Sequence, residues 1–338
     1  MAPQKCYFDN KETNLVKWTK ALTTAALVLC ALSSAAQEYP ARQPIRLVIG
    51  YPPGGPSDIM GRVIADHLSR ELNQTIVVDN RAGAGGMIGA AFAATQKPDG
   101  YTLLVDGESI STRPQAVYKK MPYDPVKDFS RISRLATQRS VLVVHPSLPV
   151  KSVGELIQHA KANPGKLDYG CSYGAASHLG ATIFSMKTGI SMVPVNYRGG
   201  SQLVTDLIAG VVQVGFYPEA TVYPYIKSGQ LRPLAVVAGE RSPMQPDLPT
   251  IEEAGGPKMD LSFWTGLVAP AGTPKPVIDR LVEASRKIAA DPTFAKQLVP
   301  MGATPIKGST PSTYTMETVS EIEYWNKVVA DGGIAKID

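Results

Sequence analysis

The sequence predicts an α/β fold of two lobes, each built on a mostly parallel β-sheet flanked by helices. The chain has 338 residues, which is long for one α/β domain and comfortable for two. Apolar, β-branched segments alternate with segments of helical spacing, which is typical of β-α-β units with parallel strands. This alternation runs through two successive stretches of the chain, without a repeat of solenoid type.

The first stretch has the order β-α-β-α-β. Its strands are predicted over apolar, β-branched segments, at Ile45–Ile49, Thr75–Val78 and Thr102–Val105. The first helix is predicted from apolar residues at helical spacing, namely Ile59, Val63, Ile64, Leu68 and Leu72. Ser57 or Asp58 is its expected N-cap. A second, short helix is expected over Ala90–Thr95.

The second stretch restarts the pattern after residue 140. Its strands are predicted at Val141–Val144, Leu167–Gly170, Met192–Val195, Val212–Phe216 and Leu231–Val237. Its helices are predicted at Val153–Asn163, Ser177–Lys187, Ser201–Ala209 and Ala220–Ser228. The first of these helices should stop at Pro164-Gly165, because that pair cannot continue a helix.

The last section has one predicted strand, Trp264–Val268, and helices at Pro276–Ala290, Pro292–Leu298 and Pro311–Val329. These helices need an existing sheet to pack on, and the first lobe supplies one. We therefore expect lobe 1 to comprise residues 37–142 and 262–338, and lobe 2 to comprise residues 143–261. A cleft between lobes joined by two crossings is suited to ligand-gated closure.

The N-terminus has the pattern of a secretory signal peptide. Lys11, Lys17 and Lys20 precede an apolar stretch from Ala21 to Leu32, and small residues follow it. We expect cleavage after Ala36, which makes residues 1–36 a signal peptide. The alternative is a membrane anchor, but the stretch is shorter than the roughly 18 apolar residues that a spanning helix needs.

Charge and cysteine content exclude several classes of protein. Without residues 1–36 the chain keeps 30 basic and 27 acidic residues, with no basic run, so nucleic acid is not an expected partner. Only Cys171 remains, so the exported protein has no internal disulfide and no CxxC site.

The first candidate binding motif follows the first strand. Its candidate ligand-binding residues are Tyr51, Pro53, Gly54, Gly55, Ser57 and Asp58. Ligands bind at the carboxyl ends of strands in open parallel sheets. Glycines and free N–H groups at a helix start favour a carboxylate or phosphate there. The alternative interpretation is a tight turn with an Asp cap.

A glycine-rich segment, residues 81–89, follows the second strand and has a GxGxxxG spacing. A dinucleotide fingerprint would sit in the first β-α unit, and an exported protein meets no nicotinamide pool. We therefore expect either a second helix N-terminus facing the same cleft or a permissive turn.

The third motif, Gly170-Cys171-Ser172-Tyr173-Gly174, matches the GxSxG pattern of serine hydrolases. The only downstream histidine is His178, six residues later, so the usual order of serine, acid and histidine is not met. The alternative is an anion-accepting loop that repeats the first motif. Its candidate residues are Ser172, Gly174, Ala175, Ala176, Ser177 and His178.

His178 is either a ligand contact or a packing residue at the helix start, and the second role is favoured. No histidine, cysteine and carboxylate cluster has metal-ligand spacing, and no carboxylate pair is marked for acid–base work. We therefore expect no catalytic residue, no metal and no cofactor. The sequence indicates a binding protein rather than an enzyme.

Several motifs occur together in a specific order over nearly the whole chain after residue 36. They include Pro53-Gly54-Gly55-Pro56-Ser57-Asp58, Asn80-Arg81-Ala82-Gly83-Ala84-Gly85-Gly86, Pro98-Asp99-Gly100-Tyr101, His145-Pro146-Ser147-Leu148-Pro149, Ser177-His178-Leu179, Tyr197-Arg198-Gly199 and Gly266-Leu267-Val268-Ala269-Pro270. Their order resembles that of the Bug (TctC-like) extracytoplasmic solute receptors of tripartite tricarboxylate transporters.

This resemblance implies a periplasmic binding protein of the type II-like Venus flytrap class in a Gram-negative bacterium. It implies a small carboxylate ligand held between Tyr51–Asp58 and Ser172–His178, partly through water, with Arg198 and Tyr217 completing the expected site. Membrane permease subunits would receive the ligand from a monomeric receptor. A flytrap that reports to a signalling partner is the alternative, and an exported serine hydrolase is less favoured.

The chain departs from the family pattern at two positions. Ala175 stands where the family usually has Ser or Thr, which removes a hydroxyl donor to the carboxylate. Gln213 stands where the family often has Asp. We therefore expect an anion held mainly by backbone N–H groups and water.

Overall fold

The computed structural model describes Ala2 and residues 39–197 and 200–338. Two compact units divide the chain, Met1–Gln43 and Pro44–Asp338. The predicted signal peptide, residues 1–36, lies outside the described residues except for Ala2. The second unit is an α/β structure with two sheets.

The first sheet has six strands from both ends of the unit. They are β1 (Ile45–Ile49), β2 (Ile76–Asn80), β3 (Thr102–Gly107), β4 (Phe129–Gln138), β10 (Phe263–Pro270) and β11 (Ala303–Pro305). Their order in the sheet is β11-β4-β10-β3-β1-β2. Because β10 and β11 come from the end of the chain, the first sheet combines strands from both ends of the second unit.

The second sheet has five strands from the middle of the chain. They are β5 (Ser140–Val144), β6 (Asp168–Cys171), β7 (Val193–Asn196), β8 (Val214–Pro218) and β9 (Arg232–Val236). Their order is β7-β6-β8-β5-β9. The chain passes directly from β4 to β5 at Arg139, so one crossing between the sheets is a single residue long.

Both sheets are mixed, which differs from the mostly parallel sheets that the sequence predicted. β1 pairs in parallel with β2 and β3, whereas β10 is antiparallel to β3 and β4. In the second sheet β6 pairs in parallel with β7 and β8, whereas β5 is antiparallel to β8 and β9. The strands on either side of the two crossings, β4, β5, β9 and β10, all form antiparallel pairs, and β11 is also antiparallel to β4.

β4 is the longest strand and was not predicted. Its sequence, Phe129–Gln138, contains Arg131 and Arg134 and therefore lacks an apolar run. Both arginines are buried, and each is paired with a carboxylate, Arg131 with Asp106 and Arg134 with Glu321. These pairs let charged residues occupy a central strand.

The helices flank the sheets. They are α1 (Pro56–Leu72), α2 (Met87–Ala94), α3 (Glu108–Ser111), α4 (Arg113–Val117), α5 (Val153–Ala162), α6 (Ala176–Thr188), α7 (Gly200–Ile208), α8 (Glu219–Lys227), α9 (Lys275–Ala290), α10 (Pro292–Leu298) and α11 (Pro311–Asp331). Within the described residues, no helix is both long and apolar enough to cross a membrane.

Helix α11 is shared between the two sheets. Tyr314, near its start, packs in the core of the first sheet with Trp264. Trp325, Val328 and Val329, near its end, pack in the core of the second sheet. One continuous helix therefore contributes apolar side chains to both cores.

Candidate functional site

The loop after β1 enters α1 through a glycine in the left-handed region. Gly54 has φ 79°, and Gly55 is the N-cap, with φ −77° and ψ 165° and no side-chain cap. The helix starts at Pro56, which differs from the predicted cap at Ser57 or Asp58. Proline is favoured at the first helical position because it has no N–H to leave unpaired there.

Asp58 fastens this first loop from within the helix. Its Oδ2 accepts hydrogen bonds from the Gly54 N–H and from Arg62 Nε, both at 2.8 Å, and its Oδ1 accepts one from Asn80 Nδ2 at 2.8 Å. The hydrogen bond from Arg62, with those from Gly54 and Asn80, lowers the pKa of Asp58 to about 2 although burial opposes the change. The carboxylate is therefore charged, and its two oxygens are occupied by hydrogen bonds that hold the loop.

The loop after β6 follows the same backbone path into α6. Gly174 has φ 71°, and Ala175 is the N-cap, with φ −77° and ψ 169°. The Ala175 N–H donates to the Ser172 carbonyl oxygen at 2.9 Å, as the Gly55 N–H donates to that of Pro52 at 3.4 Å. Because its cap is an alanine, this loop has no side-chain acceptor for the first-turn N–H groups.

His178 occupies in the second loop the position that Asp58 occupies in the first. Its Nδ1 accepts a hydrogen bond from the Gly174 N–H at 3.3 Å, and its ring stacks on Tyr173 with centroids 4.9 Å apart. Burial lowers the pKa of His178, and the neutral ring suits this role because only an unprotonated Nδ1 accepts. His178 therefore stabilises the second loop through this hydrogen bond and this ring contact.

Ser172 has no histidine among its hydrogen-bond partners in the described residues. Its N–H donates to Ser177 Oγ at 3.2 Å, which fixes the start of the loop. The GxSxG pattern therefore serves the turn into α6. Cys171, just before it, ends β6 as a buried side chain, and burial raises the pKa of its thiol to about 11.

The glycine-rich segment 81–89 packs directly against the first loop. It forms a short 3-10 turn, Ala84–Gly86, before α2. The Gly85 carbonyl oxygen accepts a hydrogen bond from the Tyr51 hydroxyl at 2.9 Å. A Cβ placed on Gly50 would lie 2.7 Å from the Gly86 Cα, so the two backbones touch. This contact requires glycine and fits the predicted permissive turn.

The two loops and the glycine-rich segment meet at a cavity of about 280 Å³. We call it the loop cavity. It is lined by Tyr51 from the first loop, Gly85 from the glycine-rich segment, and Gly174 and Ala175 from the second loop. A Cβ on Gly174 would lie 2.6 Å from Val117 Cγ1, so the second loop also lies against α4.

A second cavity of about 370 Å³ adjoins this one through shared lining residues. We call it the main cavity. It shares Tyr51, Ser109 and Arg113 with the loop cavity and adds Ser57 from the first loop. Most of its exposed lining is apolar, with contributions from Ile59, Val105, Ile110, Pro218, Ala220, Phe263, Trp264, Pro300 and Met301. The strands and helices of both sheets contribute to this lining.

Arg113 lines both cavities and was not predicted from the sequence. It begins α4, just after the carboxyl end of β3, and its side chain is buried. Its Nε lies 3.4 Å from Glu108 Oε2 but has no hydrogen-bond partner among the described residues. Burial raises the pKa of Glu108 to about 7, although Arg113 acts to lower it. The rule that ligands bind at the carboxyl ends of parallel strands points to this position.

Four of the predicted site residues line the cavities, namely Tyr51, Ser57, Gly174 and Ala175. The rest of the two loops lies outside this lining, at Pro53, Gly54, Gly55, Asp58, Ser172, Ala176, Ser177 and His178. Pro53 and Gly54 are exposed at the tip of the first loop. Several of the others make the hydrogen bonds that shape the loops.

The other predicted site residue that the structure describes, Tyr217, lies away from both cavities. Tyr217 is buried in the core of the second sheet, where its hydroxyl donates to the Gly170 carbonyl oxygen at 3.2 Å. Its neighbour Pro218 lines the main cavity instead, because successive strand residues point to opposite faces. Gln213 Oε1 accepts from the Asp168 N–H, at the amino end of β6 and far from Ser172 along the strand. Arg198 lies outside the described residues.

Comparisons with known proteins show which family this chain belongs to. A model of the tripartite tricarboxylate transporter family receptor matches residues 60–332. Protein BugT of Bordetella pertussis is 37% identical over 307 residues, which cover 88% of this chain and 91% of BugT.

Solved structures agree with this match. The structure of R. palustris Rpa4515 with adipate is 34% identical, covers 89% of this chain and 100% of its own, and has a TM-score of 0.78. The structure of MatC from Rhodopseudomonas palustris with bound malate is 27% identical, covers 86% of this chain and 99% of its own, and has a TM-score of 0.72. The chain belongs to the receptor family of the tripartite tricarboxylate transporters, whose members are periplasmic solute-binding proteins.

Proposed function

We propose that this protein is a periplasmic receptor that captures a small carboxylate between its two glycine loops and delivers it to a membrane permease. The observation that carries the proposal is the meeting of these loops. They come from different sheets, have the same backbone conformation, and line one cavity together with a buried arginine. The carboxylates bound in two related structures, adipate and malate, support the ligand class.

Only some of the backbone N–H groups of the two loops are open to an anion. The N–H groups of Gly54 and Gly174 already donate to Asp58 and His178. The N–H groups of Ser57 and Asp58 in α1 and of Ala176 and Ser177 in α6 remain as donors, since the first residues of a helix have no acceptor within it. Pro56 has no N–H, and the His178 N–H already donates to the Ala175 carbonyl oxygen. A carboxylate in the loop cavity would therefore be held by the helix starts and Arg113, because the Tyr51 hydroxyl already donates to the Gly85 carbonyl oxygen.

The same proposal extends to the organisation of the chain. The predicted boundary after residue 142 moves back to Arg139, because β5 belongs to the second sheet. Residues before Arg139 with 262–338 would form one lobe and residues 140–261 the other, closing over the ligand. Residues 1–36 would direct export and be removed after Ala36, and the exported receptor would act as a monomer. The single-residue crossing at Arg139 is a suitable hinge, because few backbone angles would have to change there.

A thermal-shift screen tests the ligand class. Purified protein without residues 1–36 is heated with aliphatic and aromatic monocarboxylates, dicarboxylates and their neutral amides. We expect at least one carboxylate to raise the melting temperature and its amide to have no effect, because ligand binding to the folded state alone stabilises it. A rise produced by neutral compounds and by no carboxylate contradicts the proposal.

A further inference from the structure

The two cavities contain one cation among the described residues that line them, and it is Arg113. Their acidic residues are Asp106 and Glu108. Asp106 is already satisfied, because its carboxylate accepts hydrogen bonds from Arg131, Ser111 and Tyr314. Arg113 is therefore the charged donor available to an anion.

Arg113 contrasts with Arg131, a buried arginine of the same sheet region. Arg131 donates to Asp106, Ser111 and the Pro125 carbonyl oxygen. Arg113 exposes 8% of its surface, yet its Nε has no hydrogen-bond partner among the described residues. A buried guanidinium charge without a close acceptor is costly, and a ligand carboxylate that accepts N–H groups from the two terminal nitrogens of Arg113 would offset that cost.

Glu108 occupies only one side of Arg113. Its Oε2 lies 3.4 Å from Nε, so the two terminal nitrogens of the planar guanidinium are left for another acceptor. Arg113 lines both cavities, so an anion on those nitrogens would lie where the cavities join.

The main cavity has no second cation for another carboxylate. Apart from Arg113 and the two acidic residues, the part of the lining that the structure describes is apolar or neutral. It includes Phe263, Trp264, Pro218, Met301, Gln138 and Thr221. A second carboxylate there would be desolvated without a charged partner and would also face Glu108.

We propose that Arg113 binds the carboxylate of the ligand at the junction of the two cavities, and that the ligand is a monocarboxylate whose apolar body lies in the main cavity. This inference rests on the proposed function and narrows its ligand class. Arg113 thereby selects the anion, and the apolar lining selects against a dicarboxylate.

Three six-carbon probes separate charge from shape, namely hexanoate, adipate and hexanamide. They are titrated into the wild-type protein by isothermal calorimetry, with phenylacetate as a second monocarboxylate. We expect a monocarboxylate to bind at least about tenfold more tightly than adipate, since each tenfold step requires only about 1.4 kcal/mol. Hexanamide should bind more weakly than hexanoate. Adipate binding as tightly as the better monocarboxylate overturns the inference.

Arg113→Met removes the charge and keeps most of the side-chain volume. We expect it to weaken monocarboxylate binding by about 30- to 100-fold, the loss typical of a charge-assisted pair. Arg286→Met is the matched control, because Arg286 is an exposed residue of α9 paired with Glu283. Unchanged binding by a folded Arg113→Met protein overturns the inference.

Glu108→Gln provides a test that keeps Arg113 in place. Glu108 faces Arg113 on α4, Arg134 on β4, Glu321 on α11 and Asp260 before β10. Its ionisation as the pH rises from 6 to 8 should weaken monocarboxylate binding in the wild type, by at most about tenfold per pH unit. Glu108→Gln should bind more tightly at pH 8 and lose this pH dependence, and an unaltered pH profile counts against the proposal.

The outcomes separate this inference from the proposed function. If wild-type protein binds adipate or another dicarboxylate and neither monocarboxylate, the receptor proposal stands and the inference fails. If the wider screen finds no carboxylate that binds, both fail.

Discussion

The two glycine loops have one backbone conformation and two different side chains to hold it. Gly54 and Gly174 have φ values of 79° and 71°, and both N-caps have φ −77°. In the first loop the glycine N–H is accepted by a carboxylate, and in the second by a neutral imidazole. The turn into the helix is therefore fixed by the glycine and the cap, whereas the fastening side chain is free to differ.

The two loops also differ in the elements that hold them in place. Asp58 is charged, buried and bound by Arg62 and Asn80, so the first loop is fastened to its own helix and to β2. The second loop is tied across to other elements, because Tyr173 Oη donates to the Ala335 carbonyl oxygen at 2.7 Å and Gly174 lies against Val117. The first loop is therefore held by its own helix, by β2 and by the glycine-rich segment, and the second depends on α4 and the C-terminal segment.

Alanine at the two glycines should show this dependence most strongly. Gly174→Ala combines a left-handed alanine with a Cβ 2.6 Å from Val117 Cγ1, so we expect a loss of about 2–4 kcal/mol of unfolding free energy. Gly54→Ala has the same strain but nothing within 4 Å of its Cβ, so we expect about 1 kcal/mol. Urea denaturation of both variants measures the difference, and equal losses would show that the contact with Val117 is unimportant.

Removing the fastening side chains should have the next largest effect. Asp58→Ala leaves the Gly54 N–H, Arg62 and Asn80 without their acceptor, and we expect a loss of about 2–3 kcal/mol. His178→Ala removes one 3.3 Å hydrogen bond and a ring stack, and we expect about 1 kcal/mol. Chemical denaturation at pH 7.5 compares them. A larger loss for His178→Ala would mean that the second loop is the more strongly fastened of the two.

Acid should affect the two loops in separate pH ranges. The pKa of Asp58 is lowered from 3.8 to about 2, so its contribution to stability is complete above about pH 4 and is lost as the pH falls towards 2. The pKa of His178 is lowered from 6.5, so the folded state favours the neutral ring and its contribution declines as the pH falls below 6.5.

The smallest expected changes in stability are those caused by protonation of His178 and Asp58. Asparagine variants, which do not titrate, isolate them. The stability difference between wild type and His178→Asn should change between pH 7.5 and 5, and that between wild type and Asp58→Asn between pH 5 and 2.5. Denaturation curves at these pH values measure both. If the His178→Asn difference stays constant down to pH 5, protonation of His178 does not control the second loop.

The repetition of the loops could be predicted from the sequence, because Gly, a small residue and a helix start follow a strand in both places. The cap could not be placed correctly. Ser57 and Asp58 are favourable N-cap residues, but Pro56 moved the helix start forward and gave the cap to Gly55. The side chain of Asp58 then accepts from the loop instead of from the helix.

The features that could not be predicted depend on contacts distant in sequence. β4 has no apolar run, because it contains Arg131 and Arg134. These arginines can be buried in the strand because they are paired with carboxylates from β3 and α11. Arg113 has no motif around it, and its importance comes from two cavities whose lining spans more than 200 residues of the chain. Tyr217 and Pro218 are adjacent in sequence, and only the direction of β8 decides which one faces the main cavity.

The burial of Cys171 makes the protein suitable for selective labelling. A thiolate is the form that reacts with alkylating dyes, and a buried thiol with a pKa raised to about 11 is almost never in that form at neutral pH. In protein prepared without residues 1–36, Cys171 is the only cysteine. A cysteine introduced at exposed Pro53, on the tip of the first loop, would therefore take up a maleimide fluorophore while Cys171 stays unmodified. Such a conjugate would report ligand arrival optically without any change to the native cysteine.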